Sequence, residues 1–129
     1  MRIGLAAPPI PRSIDDGLNW IKQHAAQAAQ AGADIICFPE SLIPGMRGQY
    51  FPVAAHAPAK LQAARDAVCA IAKELSIFII LPMDWESLEG SRNTAFVISD
   101  QGDVVGQQTK NQLDPSEDAL YVPGGTHTV

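Results

Sequence analysis

The 129 residues are enough for one domain and too few for two. With 47% hydrophobic and 18% charged residues the chain can fill a core, which excludes a disordered tail. A formal charge of -5, with the nine basic residues scattered, argues against a nucleic-acid partner.

The start, Met1-Arg2-Ile3-Gly4-Leu5, runs into Pro8-Pro9 and lacks the apolar stretch of a signal peptide. No segment approaches the ~18 apolar residues of a transmembrane helix. Two cysteines, Cys37 and Cys69, form no CxxC pair and lie in apolar periodic segments, where reduced and packed thiols are the ordinary case. The expectation is a soluble, cytoplasmic protein with no membrane partner.

Ile3 to Ala7 is a short apolar run that stops at prolines, as a buried strand does. Ser13 then precedes Ile14-Asp15-Asp16, a helix start with acidic residues in its first turn. Leu18, Ile21, Ala25 and Ala28 follow at helical spacing, and Gly32 stands where a C-cap glycine belongs. Ala33 to Glu40 reads as a second buried strand, ended by Pro39. One βαβ unit of this kind implies parallel pairing.

Ser41 to Ala57, with Pro44, Gly45, Gly48 and Pro52, reads as a long irregular loop of the kind that often carries function. A second helix spans about Pro58 to Leu75, with Leu61, Ala64, Val68, Ile71 and Leu75 as its apolar stripe. Ile77 to Leu81 is a third strand closed by Pro82. From Asn93 to Ser99 the residues alternate, Asp100 to Asp103 signal a turn, and Val104 to Thr109 is extended again. This is an antiparallel hairpin attached to βαβ units. The predicted architecture is α/β, with helices on one face of a mixed sheet.

The chain has no Gly-rich phosphate loop, no GxSxG and no HExxH. His24, His56 and His127 lack ligand-like spacing, so no metal site is expected. Three groups are candidates for chemistry. Glu40 stands at the carboxyl end of a strand, where open α/β sheets place ligands. Alternation puts it on the face of Ile36 and Phe38, opposite Cys37, among apolar neighbours that would partly desolvate it and suit it to general-base work. Lys110 directly follows the hairpin's second strand. Glu117 lies in the acidic loop Asp114-Pro115-Ser116-Glu117-Asp118. Taken singly, each has a plainer reading as a solvated surface charge. Tyr50, in the long loop, would line a pocket or simply pack.

Taken together, Phe38-Pro39-Glu40 after Ala33 to Ile36, then Asn93-Thr94-Ala95, Gly102 to Gly106, Lys110, and Tyr121 to Gly124 occur in an order that resembles the carbon–nitrogen hydrolase (nitrilase) superfamily. The resemblance runs over essentially the whole chain. It implies a nitrilase-type α-β-β-α layered sandwich, of which this chain is about one half, βαβαβ plus a β-hairpin. It also implies cofactor-free hydrolysis of a small amide, nitrile or carbamoyl substrate by a Glu-Lys-Cys set. By that resemblance Glu40 is the general base, Lys110 stabilises the tetrahedral intermediate, and Glu117 matches the second glutamate.

The family nucleophile lies beyond the lysine, whereas the 19 residues after Lys110 contain no cysteine. The expectation is therefore a single domain, 1–129, cut before the nucleophile and inactive alone. An apolar sheet face without its partner layer would make it self-associate or form homo-oligomers. Two other readings compete. One is a receiver-type phosphoacceptor using Asp15-Asp16, Asp84 and Lys110, opposed by the hairpin and by the prolines before the acidic pair. The other is a non-catalytic fragment or interaction module of the same fold.

Overall fold

The computed structural model describes residues 1–48 and 52–125. Tyr50 and the extended segment expected from Thr126 to Val129 lie outside the described residues. The elements follow in the order β1 (Ile3–Leu5), α1 (Ile14–Gln30), β2 (Ile35–Cys37), α2 (Pro58–Leu75), β3 (Phe78–Ser87), β4 (Gly90–Ile98) and β5 (Val104–Thr109).

Each helix begins and packs as its residues dictate. Ser13 caps α1 by accepting a hydrogen bond from the Asp16 amide at 3.1 Å, a contact worth about 1 kcal/mol in helices of this kind. Asp15 and Asp16 then meet the positive end of the helix dipole. Pro58 supplies the pre-set first turn of α2, and Leu61, Ala64, Val68 and Ala72 bury its inner stripe. Gly17 in α1 is a contact requirement. A β-carbon there would stand 2.7 Å from the Leu42 carbonyl oxygen, so only glycine lets the loop after β2 lie against the helix.

The five strands form one sheet in sequential order. β1, β2 and β3 are parallel, with Ile3, Ile35 and Phe78 in register, and β3, β4 and β5 are antiparallel. Ile36, Ile79, Leu81, Phe96 and Ile98 pack with Ile21 and Ala25 of α1 and the buried stripe of α2 to form the core. The alternate positions, Ile35, Cys37, Phe78, Ile80, Ala95 and Val97, form the other face and are only half-buried. That open face and the exposed Ile3, Leu5, Val104 and Val105 of the edge strands match the expected uncovered layer.

Three expectations change. The third strand does not stop at Pro82 but continues to Ser87 and makes a second hairpin with β4. Pro82 is tolerated because its carbonyl accepts from the Leu42 amide at 3.1 Å. Its imino side therefore points toward the region where β2 has already ended, and the ladder to β4 loses nothing. β2 itself is only Ile35–Cys37, so alternation does not extend to Glu40. Ser41, at φ 51°, turns the chain, and Glu40 leaves the side of Ile36 and reaches Asn93 above the open face. Cys37 alternates onto that same open face, in register with Ile80, four positions along β3 from Asp84, the cross-strand partner of Asn93. The receiver reading also fails, because β4 and β5 are antiparallel, with Phe96 opposite Gln107. The acidic pair that it needed is spent on the first turn of α1.

Candidate active site

Four backbone segments converge at the carboxyl end of β2, and each delivers one polar group. The turn after β2 brings Glu40; β4 brings Asn93; the end of β5 brings Lys110; the loop beyond it brings Glu117. The Lys110 ammonium donates to Glu40 Oε1 at 2.7 Å and lies 2.8 Å from Glu117 Oε2 and 3.1 Å from its Oε1. The three sequence-predicted residues are thus brought into one cluster of two carboxylates and one ammonium.

Local hydrogen bonds fix each member. Asn93 is buried, and its side-chain amide donates to Glu40 Oε1 at 2.6 Å and to Ser41 Oγ at 3.4 Å. Its main-chain carbonyl accepts from the Lys110 amide at 2.9 Å, so one residue holds both ends of the ion pair. Glu117 sits in a tight turn whose Asp114 amide donates to Glu117 Oε2 at 2.8 Å. Asp114 is itself bound by the Ser116 amide and hydroxyl, which hold its carboxyl below the usual range.

Exposure separates the two carboxylates. Glu117 is 14% exposed and Glu40 is 44% exposed, so Glu40 is the one open to a ligand and is not shut among apolar neighbours. Hydrogen bonds to Glu117 and then to Glu40 raise the Lys110 pKa, so the ammonium stays charged at neutral pH. A concavity of about 350 Å³ opens over the sheet here, lined by Glu40, Pro82, Asn93, Ala95, Gln108 and Lys110. On its other side Glu40 borders a second recess of about 260 Å³ with Pro9, Pro11, Leu42 and Met46. The larger recess of about 380 Å³ beside the N-terminal turns of α1 and α2 touches none of the three residues. The convergence of charge marks the site, and volume does not.

Behind this cluster lies a second one that the sequence did not single out as a site. Asp84, 2% exposed, accepts from the Tyr121 hydroxyl at 2.7 Å and from Arg47 Nη1 at 3.3 Å. The Arg47 guanidinium also lies over the Tyr121 ring, 5.7 Å from its centroid. The available signal was an aspartate at Asp84 and an asparagine at Asn93 inside strands, where both types are depleted.

Neither cysteine joins Glu40 and Lys110. Among the described residues, Cys37 Sγ has only a weak contact to the Phe38 carbonyl, at 4.0 Å. Cys69 is half-buried in α2, and burial pushes its thiol pKa up.

Such a set of groups can accept a proton at Glu40 and stabilise negative charge at Lys110. The profile of the carbon–nitrogen hydrolase family matches residues 2–129. No curated protein matches the chain. An amidase from Nesterenkonia sp. is similar in structure, with 29% identity and a TM-score of 0.81 over 98% of this chain and 49% of its own. A cysteine-to-alanine mutant of the amidase from Nesterenkonia sp. AN1, in complex with butyramide, gives 30% identity and a TM-score of 0.85 with 98% and 49% covered. A glutamate-to-leucine mutant of that amidase, carrying an acetamide moiety on its active-site cysteine, gives 28% and 0.84 with the same coverage. The chain therefore spans about half the length of these amidases.

Proposed function

The chain belongs to the carbon–nitrogen hydrolase family, and from that premise we propose that it carries the proton-transfer and charge-stabilising side of an amide-hydrolysing site. Glu40 is the general base, Lys110 the electrophilic cation and Glu117 the carboxylate that holds Lys110 in place. The observation that carries this reading is the Lys110 ammonium set between two carboxylates at 2.7 and 2.8 Å.

The chemistry explains the residue types. A thiolate adds to the amide or nitrile carbon after Glu40 takes the thiol proton. Negative charge develops on the carbonyl oxygen or nitrile nitrogen, and a fixed ammonium there is worth a few kcal/mol, by about the measure of other oxyanion donors. For an amide, Glu40 returns the proton to the leaving nitrogen and ammonia departs; a nitrile first gives a thioimidate, which takes up one water and loses ammonia to reach the same thioester. A water deprotonated by the same carboxylate then cleaves the thioester, releasing the acid and restoring the thiol. Lys110 also favours the thiolate by its charge. Neither Cys37 nor Cys69 bonds to Glu40 or Lys110 among the described contacts, so in this reading the thiol is a group brought to the cluster from outside it.

The test is ammonia release from short aliphatic amides and nitriles by this chain extended through a downstream cysteine-bearing segment. Turnover that disappears in Glu40→Gln and in Lys110→Met supports the assignment. Turnover that persists in Glu40→Gln removes Glu40 from the base role.

A further inference from the structure

We propose that Asp84 is a positioning residue, whose buried carboxylate ties together the two loops that bring Glu40 and Glu117 to Lys110. Asp84 belongs to β3, which contributes no group to the Glu40–Lys110–Glu117 cluster. It nevertheless touches both loops. From the Glu40 side, Arg47 donates to its Oδ2 at 3.3 Å, and the Ile43 carbonyl accepts from its amide at 2.7 Å. From the Glu117 side, the Tyr121 hydroxyl donates to its Oδ1 at 2.7 Å.

Both arms lead back to the site in one step. The Tyr121 amide bonds to the Glu117 carbonyl at 3.0 Å, so fixing the Tyr121 ring fixes the turn that carries Glu117. Ser41 adjoins Glu40, lines one small recess with Tyr121, and accepts from Asn93 at 3.4 Å. Asn93 is the cross-strand partner of Asp84 and holds Glu40 and Lys110 directly.

A carboxylate this deeply buried is expensive, and replacing such a group by an apolar one often leaves stability unchanged or improved. Its retention needs a reason, and the two loops supply one. Neither loop is a regular element, and the one after Glu40 meets the β3 backbone at Leu42 and Ile43, whereas beyond them Asp84 holds it through Arg47. Without a shared anchor the loops would move independently, and the distances on either side of Lys110 would spread. Burial pushes the Asp84 carboxyl up to about 6 against the opposing pull of Tyr121 and Arg47, as expected of a charge held by geometry at a solvation cost.

This inference rests on the reading that the Lys110 cluster is the site. The test reads the cluster itself and not turnover, so the two stand or fall separately. The Lys110 ammonium is followed by NMR titration in protein labelled at the lysine side chains. The proteins compared are the unmodified chain, Asp84→Asn, Tyr121→Phe and, as a remote core control, Val68→Ala. In the unmodified chain Lys110 titrates above ordinary lysines, because of its two carboxylate partners. Asp84→Asn should lower that midpoint by about half a unit, a threefold loss of proton affinity. Val68→Ala loosens the core from α2, outside both loops, and should leave the midpoint in place. An unchanged midpoint in Asp84→Asn, or an equal drop in Val68→Ala, overturns the proposal. If Asp84→Asn does not fold, Tyr121→Phe decides by the same criterion, since it keeps the charge and removes only the Glu117 arm.

Discussion

Lys110 Nζ lies 2.7 Å from Glu40 Oε1 although 70 positions separate the two residues in the chain. The contact closes the whole fold on itself, because Glu40 leaves the second strand and Lys110 leaves the last. Any disturbance of sheet register would open it. The pair is therefore both a candidate site and a sensor of whether the sheet is correctly assembled.

The pair should be visible in the pH dependence of stability. Lys110 binds its proton more tightly folded than unfolded, chiefly through Glu117 and Glu40. Its stabilisation is thus complete below the ordinary lysine value of about 10.4 and is lost as pH rises through the higher folded value. Urea unfolding of the unmodified chain and of Lys110→Met should differ by no more than about 1 kcal/mol near neutrality, since the ammonium is partly solvated. That difference should shrink above about pH 10.4. A gap that widens there would mean that the carboxylates do not stabilise the ammonium.

Asp84 should show the same sense at lower pH, for a different cause. Burial disfavours the charged form and pushes its folded carboxyl up to about 6, above the ordinary aspartate value of 3.8. The folded state then binds more protons than the unfolded state between these values, so the Asp84 contribution to stability falls as pH rises from about 4 to about 6. The full swing is on the order of 3 kcal/mol. Asp84→Asn should flatten the stability profile in that window when unfolding is measured at successive pH values. A profile equally steep in both proteins would rule out this origin.

The sequence made some parts of this architecture legible and hid others, for physical reasons. Ser13, the helical spacing of Leu61 to Leu75 and the turn at Asp100 to Asp103 are local signals, and α1, α2 and β5 appear where they indicated, with Ala72 buried in α2 where Ile71 and Leu75 are only partly so. The length of β3 was hidden because Pro82 normally ends a strand. Only the early end of β2 beside it makes proline harmless there. The side taken by Glu40 was misjudged for a related reason, since the strand pattern was carried three residues past Cys37. Glu40, Lys110 and Glu117 were picked out by family resemblance, and the structure brings them together. Asp84 entered only the receiver reading and Tyr121 only the order of motifs; their network with Arg47 is not legible, because a buried network joins three distant segments and leaves no spacing to read.

Self-association is the next expected outcome. The open face presents Ile35, Phe78, Ile80 and Val97 half-buried, beside exposed Leu5 and Val105 on the two edge strands. An apolar layer of this kind, with edges free to pair, favours contact between copies. Sedimentation velocity should show concentration-dependent association, reduced in Ile80→Lys, which places a charge at the centre of that face. A compact monomer at high concentration would show that the face is covered in some other way.

The cysteines should be poor nucleophiles. Burial raises the pKa of Cys69, which lowers its thiolate fraction near neutrality. Native-state alkylation of Cys69 by iodoacetamide should be slower than that of free cysteine and should accelerate on unfolding. Labelling of the native protein at the rate of the free amino acid would contradict its place in the packed face of α2.

The last expected outcome is that these 129 residues alone do not release ammonia from amides or nitriles. Glu40 and Lys110 can take a proton and stabilise negative charge, yet a thiol must stand within reach of Glu40 for the covalent route. Cys69 belongs to α2, on the far side of the sheet from the ligand recess. Cys37 is level with Ile80 on the open face and bonds to neither Glu40 nor Lys110 among the described contacts. Without the thiolate, water must attack the unactivated carbon directly. Losing the nucleophile of a comparable catalytic set costs roughly a million-fold in rate. Ammonia release by the chain should therefore equal that of its Glu40→Gln and Cys37→Ala variants, at background. Turnover abolished by Cys37→Ala would show that the half-buried thiol on the open face reaches the substrate. The nucleophile would then belong to this half of the fold.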